Sequence, residues 1–137
     1  MRGVMRQAMS LWSRFRSALR RAPAVPTHAI RLSAEGFSVV PQDQRAGASV
    51  LHWADVTRIR TYKIDLFTVD CICLLFERSN GEAIEVLEEW DGFAALTDVL
   101  RERFPLVPAD WYATVMQPPF ERNEALLYER ASESPAA

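Results

Sequence analysis

From Thr27 onward the chain sets apolar against polar residues in short alternating runs. Ile30 and Leu32 share one face of a predicted strand from Thr27 to Ser33, and Phe37 and Val39 share one face of a second from Phe37 to Val40, around the turn Ala34-Glu35-Gly36. After the loop PQDQRAGA, Ser49 to Trp53 is a third strand with Leu51 and Trp53 on one side, and a kink at Ala54-Asp55 leads into a fourth from Val56 to Ile64. Val69 to Arg78 and Ala83 to Glu89 are the fifth and sixth. The Asn80-Gly81 pair between them suits a type I′ turn, whose twist matches that of paired strands. The period then becomes helical. Phe93, Leu96 and Leu100 line one face, with Asp91 placed as the cap and Pro105 as the stop. A second, short helix begins near Asp110 and carries Trp111, Tyr112, Val115 and Met116 up to Pro118-Pro119. Phe120 and Leu126-Leu127-Tyr128 form an apolar segment expected to lie on the body.

Upstream of Thr27 the pattern differs. Met5, Met9, Trp12, Phe15 and Leu19 fall on one helical stripe, with Arg2, Arg6, Arg16 and Arg20 largely off it, so residues 1–22 read as a basic amphipathic helix. Residues 23–26, with Pro23 and Pro26, form a linker that ends it. The main domain is expected over 27–104, a helix and packing segment over 105–130, and a disordered tail over 131–137. The first helix has no apolar run long enough to span a bilayer. Three roles fit it: packing on the body, lying on an anionic membrane surface through Arg2, Arg6, Met9, Trp12, Phe15, Arg16, Leu19 and Arg20, or targeting to an organelle.

Pairing geometry turns the two hairpins into expected contacts. A two-residue turn within Ser79 to Glu82 sets Leu75 opposite Val86, Cys73 opposite Glu88 and Cys71 opposite Trp90. A four-residue loop from Asp65 to Thr68 sets Lys63 opposite Asp70, Tyr62 opposite Cys71, Arg60 opposite Cys73 and Arg58 opposite Leu75. One face then carries Ile59, Leu74 and Leu87, with the Lys63/Asp70 pair at its end. The other carries Cys71, Leu75 and Val86 together with a candidate partner face of Arg58, Arg60, Tyr62, Cys73, Glu88 and Trp90. An Arg60–Glu88 ion pair flanking Cys73 is expected there.

Charge and composition narrow the function. The 137 residues are 49% hydrophobic and 25% charged, which fits one globular domain. The net charge of −2 is unevenly spread, since residues 1–21 hold six arginines and no acid, leaving 10 basic against 18 acidic residues and a net −8 elsewhere. Nucleic-acid binding by the body is thereby disfavoured. Glu85, Glu88, Glu89 and Asp91 form a candidate acidic edge for a basic partner. Two cysteines in a Cys-x-Cys arrangement make no disulfide framework and fit a reducing, cytoplasmic setting. Cys71, Cys73, His28 and His52 lack metal-ligand spacing, so neither metal nor cofactor is expected. No nucleophile elbow, zincin helix or dinucleotide fingerprint occurs in the sequence. Catalysis by an Arg60, Cys73, Glu88 constellation is the minority reading.

The phrase Trp53-Ala54-Asp55-Val56-Thr57-Arg58-Ile59 leading into a long hairpin, and the helix after EEWDGF, resemble the small bacterial pleckstrin-homology-like domains over residues 27–104. The resemblance implies an α+β fold: a bent antiparallel sheet or partly open barrel of six to seven strands capped by a helix, used for binding. The sequence departs from that pattern in showing six strands where seven are usual. It also lacks a basic first hairpin, since Arg31 is the only cation there before Arg45, so phosphoinositide recognition is not expected. The leading expectation is a non-enzymatic cytoplasmic binding or adaptor module, peripheral at a membrane through its first helix. The alternative is an immunity or inhibitor-type protein that binds a basic protein through the acidic edge.

Overall fold

A computed structural model describes residues 27–43, 47–66 and 69–131. The predicted helix over 1–22, its linker and residues 132–137 of the tail lie outside the described residues. The chain is α+β, with seven strands in two antiparallel sheets. The first sheet has the order β1-β2-β3, from strands His28–Leu32, Gly36–Pro41 and Ser49–His52. A 3-10 turn over Trp53–Asp55, where the sequence shows its kink, leads into β4, Val56–Asp65. β5 (Asp70–Arg78) and β6 (Ala83–Leu87) follow, then helices α1 (Phe93–Arg103) and α2 (Trp111–Met116), then β7, Ala125–Glu129. The second sheet has the order β6-β5-β4-β7. Leu126-Leu127-Tyr128 therefore lie in a strand, which adds a seventh to the six expected, whereas Phe120, expected on the body, stands outside it and is 60% exposed.

The two inner faces and α1 meet in one core. Ile30, Phe37, Val39 and Leu51 come from the first sheet, and Ile59, Ile72, Leu74, Phe76, Ile84 and Val86 from the second. Phe93, Leu96 and Leu100 close it from α1, as their helical spacing requires. Phe37 and Phe76 meet edge to face across the sheets, with ring centroids 5.0 Å apart. Leu32, expected inward, is 36% exposed, because β1 ends there at the Ser33–Gly36 turn.

The cap of α1 is Gly92, with φ +93°, and not Asp91. A Cβ at Gly92 would stand 2.3 Å from the Ile30 carbonyl oxygen, so close approach as well as backbone sign demands glycine. Asp91 instead accepts the Ile30 N–H on its backbone carbonyl at 2.7 Å, tying β1 to the start of the helix.

Both hairpin registers differ from expectation. Between β5 and β6, Leu74 faces Val86 and Cys73 faces Leu87. The turn is not type I′, since Gly81 has positive φ and Asn80 does not. Arg78 accepts from the Gly81 N–H at 3.0 Å and donates to the Glu82 carbonyl at 2.8 Å, so the loop has three residues with glycine in the left-handed position. That slip of one residue puts Val86 in the core and Leu87 on the other face. Between β4 and β5, Tyr62 faces Cys73, Lys63 faces Ile72 and Arg60 faces Leu75, while a bulge near Thr57 sets Arg58 opposite Glu77. This shift is by two residues, so each side chain keeps its expected face.

Candidate functional site

On the outer face of the second sheet the charges are bound to one another. Arg58 reaches Glu77 at 3.3 Å and Glu129 at 2.7 Å, and Arg60 reaches Glu77 at 2.9 Å and Glu124 at 3.1 Å. The hydrogen bond to Glu77 is the main influence holding the Arg60 pKa above its ordinary value. The expected Arg60–Glu88 pair does not form. Glu88 accepts the Tyr112 hydroxyl and, at 3.1 Å, the Ile72 N–H. Tyr62 donates its hydroxyl to Glu85 and carries the Arg122 guanidinium 4.0 Å above its ring. Arg58, Arg60, Tyr62 and Cys73 thus share the predicted face, and the corrected register takes Glu88 and Trp90 out of it.

The two thiols are shifted in opposite directions, the hydrogen bond between them lowering the Cys71 pKa. Cys71 and Cys73 are both buried and free. Cys73 is held well above the ordinary thiol range by its hydrogen bond with Cys71 and then by burial. The cation that opposes this shift is Arg122. Among the described residues no group of three or more His, Cys, Asp or Glu side chains is arranged to hold a metal ion.

A polar buttress that the sequence only half announced lies at the far end of β4. Lys63, with a side chain 1% exposed, gives its ammonium to the carbonyls of Met116, at 2.9 Å, and Pro118. Asp70 Oδ2 stands 3.4 Å from it and also accepts the Phe120 N–H at 2.8 Å. Asn123 binds the carbonyls of Thr114, at 2.9 Å, and Gln117 through its side-chain amide. The lysine head thus meets the last carbonyl of α2, the Pro118 carbonyl beyond it and the Asp70 carboxylate of β5, so this group fixes the end of α2 and the segment after it against β4.

The open feature lies at the opposite edge of the second sheet. His28, Val39, Pro41 and Ser49 belong to the inner face of the first sheet, following Ile30, Phe37 and Leu51 by the two-residue period. They meet Ala83, Ile84, Glu85 and Trp90 around a cleft of about 240 Å³. Trp90 stacks on His28 with centroids 4.2 Å apart at 25° and forms one wall. Val39 and Ile84 are buried at its floor, while His28, Pro41 and Trp90 are half-buried and Ser49 is exposed, so the cleft opens from the edge of the core.

The backbone of β6 adds to this. Glu88 donates to Ile72 and Arg78 to Glu82, so the even-numbered residues of β6 exchange hydrogen bonds with β5. The N–H and C=O groups of Ala83 and Glu85, and the Leu87 N–H, then point away from the sheet, along the cleft. The Leu87 carbonyl is taken by the Trp90 N–H at 3.0 Å. Among the described residues β5 is the only strand beside β6. Of the residues around the cleft, the sequence marks Glu85 and Trp90 as partner-facing and offers His28 only as a metal ligand, while Val39, Pro41, Ser49 and Ile84 read as ordinary strand positions. A cleft that opens from the edge of the core leaves no local signal. That β6 precedes a helix, and so ends a run of hairpins, was the available hint that it forms an edge.

Compared with known proteins, the chain matches no family model, no curated protein and no solved structure.

Proposed function

We propose that the protein is a non-enzymatic binding module, pleckstrin-homology-like over residues 27–104, whose ligand is a protein segment seated in the cleft beside β6. The observation that carries this reading is the coincidence of a roughly 240 Å³ cleft with a strand edge whose backbone groups have no described partner. A sheet edge left open beside apolar and aromatic walls supplies both affinity and side-chain selectivity for an extended chain. The pleckstrin-like part is supported by six antiparallel strands leading into a helix that covers their core, although the seventh strand follows that helix.

Selection from a displayed peptide library against the full-length chain tests the reading, with Glu85→Lys and Trp90→Ala as counter-targets. Ligands that lose binding to both variants support it. Ligands indifferent to both place the binding surface elsewhere and overturn it. In the same reading residues 1–22 hold the module at an anionic membrane surface, supported by their arginines and their apolar stripe. Flotation with phosphatidylserine vesicles, lost when Arg2, Arg6, Arg16 and Arg20 become Glu, tests that part; flotation unchanged by those substitutions contradicts it. The acidic edge favours a basic partner, and an immunity or inhibitor-type role differs only in what the bound partner ceases to do.

A further inference from the structure

We infer that the ligand binds by strand addition: an extended segment alternating basic with small apolar residues pairs with the outward edge of β6 as a fifth strand of the second sheet. This rests on the protein-binding reading above and specifies its chemistry. Ala83, Glu85 and Leu87 present N–H groups at the spacing of one edge of a strand, and Ala83 and Glu85 present carbonyls between them. An added strand places alternate side chains on opposite faces of the sheet. One set enters the cleft over Val39, Pro41 and Ser49, where the space favours valine- or alanine-sized groups. The other set lies on the outer face beside Glu85, an exposed residue whose carboxylate accepts the Tyr62 hydroxyl and is the cross-strand neighbour of the incoming residue, with Glu82 exposed at the turn.

Charge selects among the occupants. A second copy of this chain pairing β6 with β6 antiparallel about Glu85 would set Glu85 against Glu85, and like charges directly opposite are destabilising. A body with net −8 outside residues 1–21 draws a basic segment instead. His28 and Trp90 close one end of the cleft by stacking, so the segment is bounded there and its length is set by β6, five residues from Ala83 to Leu87.

The test measures the affinity of the full-length protein for a labelled nonapeptide of alternating lysine and valine, blocked at both ends. Two further peptides are N-methylated on the lysines only or on the valines only, and a fourth carries glutamate for lysine. Only one backbone edge of the peptide can face β6. One methylated peptide is therefore expected to bind at least tenfold more weakly, while the other stays within about twofold of the parent. Ala83→Pro removes one outward N–H from the first residue of an edge strand, leaves the β5 ladder whole, and is expected to weaken binding roughly 3- to 10-fold. An unchanged melting temperature confirms that the variant is folded.

The glutamate peptide is expected not to bind. Equal affinities for the two methylated peptides and the parent, or no binding of the lysine peptide, overturn strand addition. Binding that is blind to methylation yet lost in Trp90→Ala and Glu85→Lys overturns strand addition while leaving the cleft as the protein-binding site. Binding indifferent to those variants removes both.

Discussion

Lys63 and Asp70 form an ion pair at 3.4 Å although neither faces the other across the ladder: Lys63 is opposite Ile72 and Asp70 is opposite Asp65. The contact is diagonal, on one face of the sheet, and it closes over a lysine whose side chain is 1% exposed. Lys63→Met is expected to lower stability by roughly 3 kcal/mol, since it removes the cation that the largely buried Asp70 carboxylate and two carbonyls share. Asp70→Asn is expected to be costly too, and a double-mutant cycle by urea unfolding to give a coupling of roughly 1–2 kcal/mol. Additive effects would contradict the pairing.

Gly92 and Gly81 both have positive φ, but only Gly92 is crowded. Gly81→Ala is expected to cost roughly 1–2 kcal/mol, the cost of a left-handed alanine with open space around it. Gly92→Ala adds the clash with Ile30 and is expected to cost about 3 kcal/mol. Denaturant midpoints of the two variants rank them directly. Equal losses would mean that β1 is not held against the start of α1.

The Tyr112 hydroxyl is pushed above the ordinary phenol range by burial and by its hydrogen bond to Glu88. The folded state therefore keeps a proton that the unfolded chain releases near pH 10. Stability from this group is complete below about pH 10 and is lost as pH rises further. Tyr112→Phe is expected to remove a late-titrating phenol from the absorbance titration and to make stability fall less steeply between about pH 10 and 12. A late phenol that survives the substitution would assign the shift to another tyrosine.

Cys71 and Cys73 are 3% and 0% exposed, and the Cys73 thiol is further disfavoured from ionising. Both are expected to react with a thiol reagent only through opening of the sheet, at least a hundredfold more slowly than in the urea-unfolded chain. Rapid labelling of either in native buffer would show that this face opens readily, and would revive a chemical role for it.

The elements themselves were legible because each rests on a short-range pattern. Ile30, Phe37, Val39 and Leu51 alternate, Phe93, Leu96 and Leu100 recur helically, and all seven are buried in the core. What failed depended on one loop. Asn80-Gly81 serves a two-residue turn or a three-residue loop equally well, and here Asn80 accepts the Glu82 N–H on its own side chain at 2.9 Å and stays out of the left-handed region. That single residue exchanged the faces of β6 and produced the mistaken Arg60–Glu88 pair. The error in the β4–β5 loop was two residues, which the alternation forgives. β7 escaped notice because Leu126-Leu127-Tyr128 does not alternate, and a bulge there leaves Leu126 half exposed and Leu127 buried. The cleft could not be read at all, since it arises at the edge of the core between two sheets.

Amide hydrogen exchange along β6 in the free, full-length protein reads out whether that edge is open. Ala83, Glu85 and Leu87 are expected to exchange within the dead time of the experiment, while Ile84 and Val86, bonded to β5, stay protected. On addition of a lysine–valine peptide the three fast amides are expected to slow together. Uniform protection of all five amides in the free protein, or fast exchange at Ile84 and Val86 with Glu85 protected, would contradict an open β6 edge.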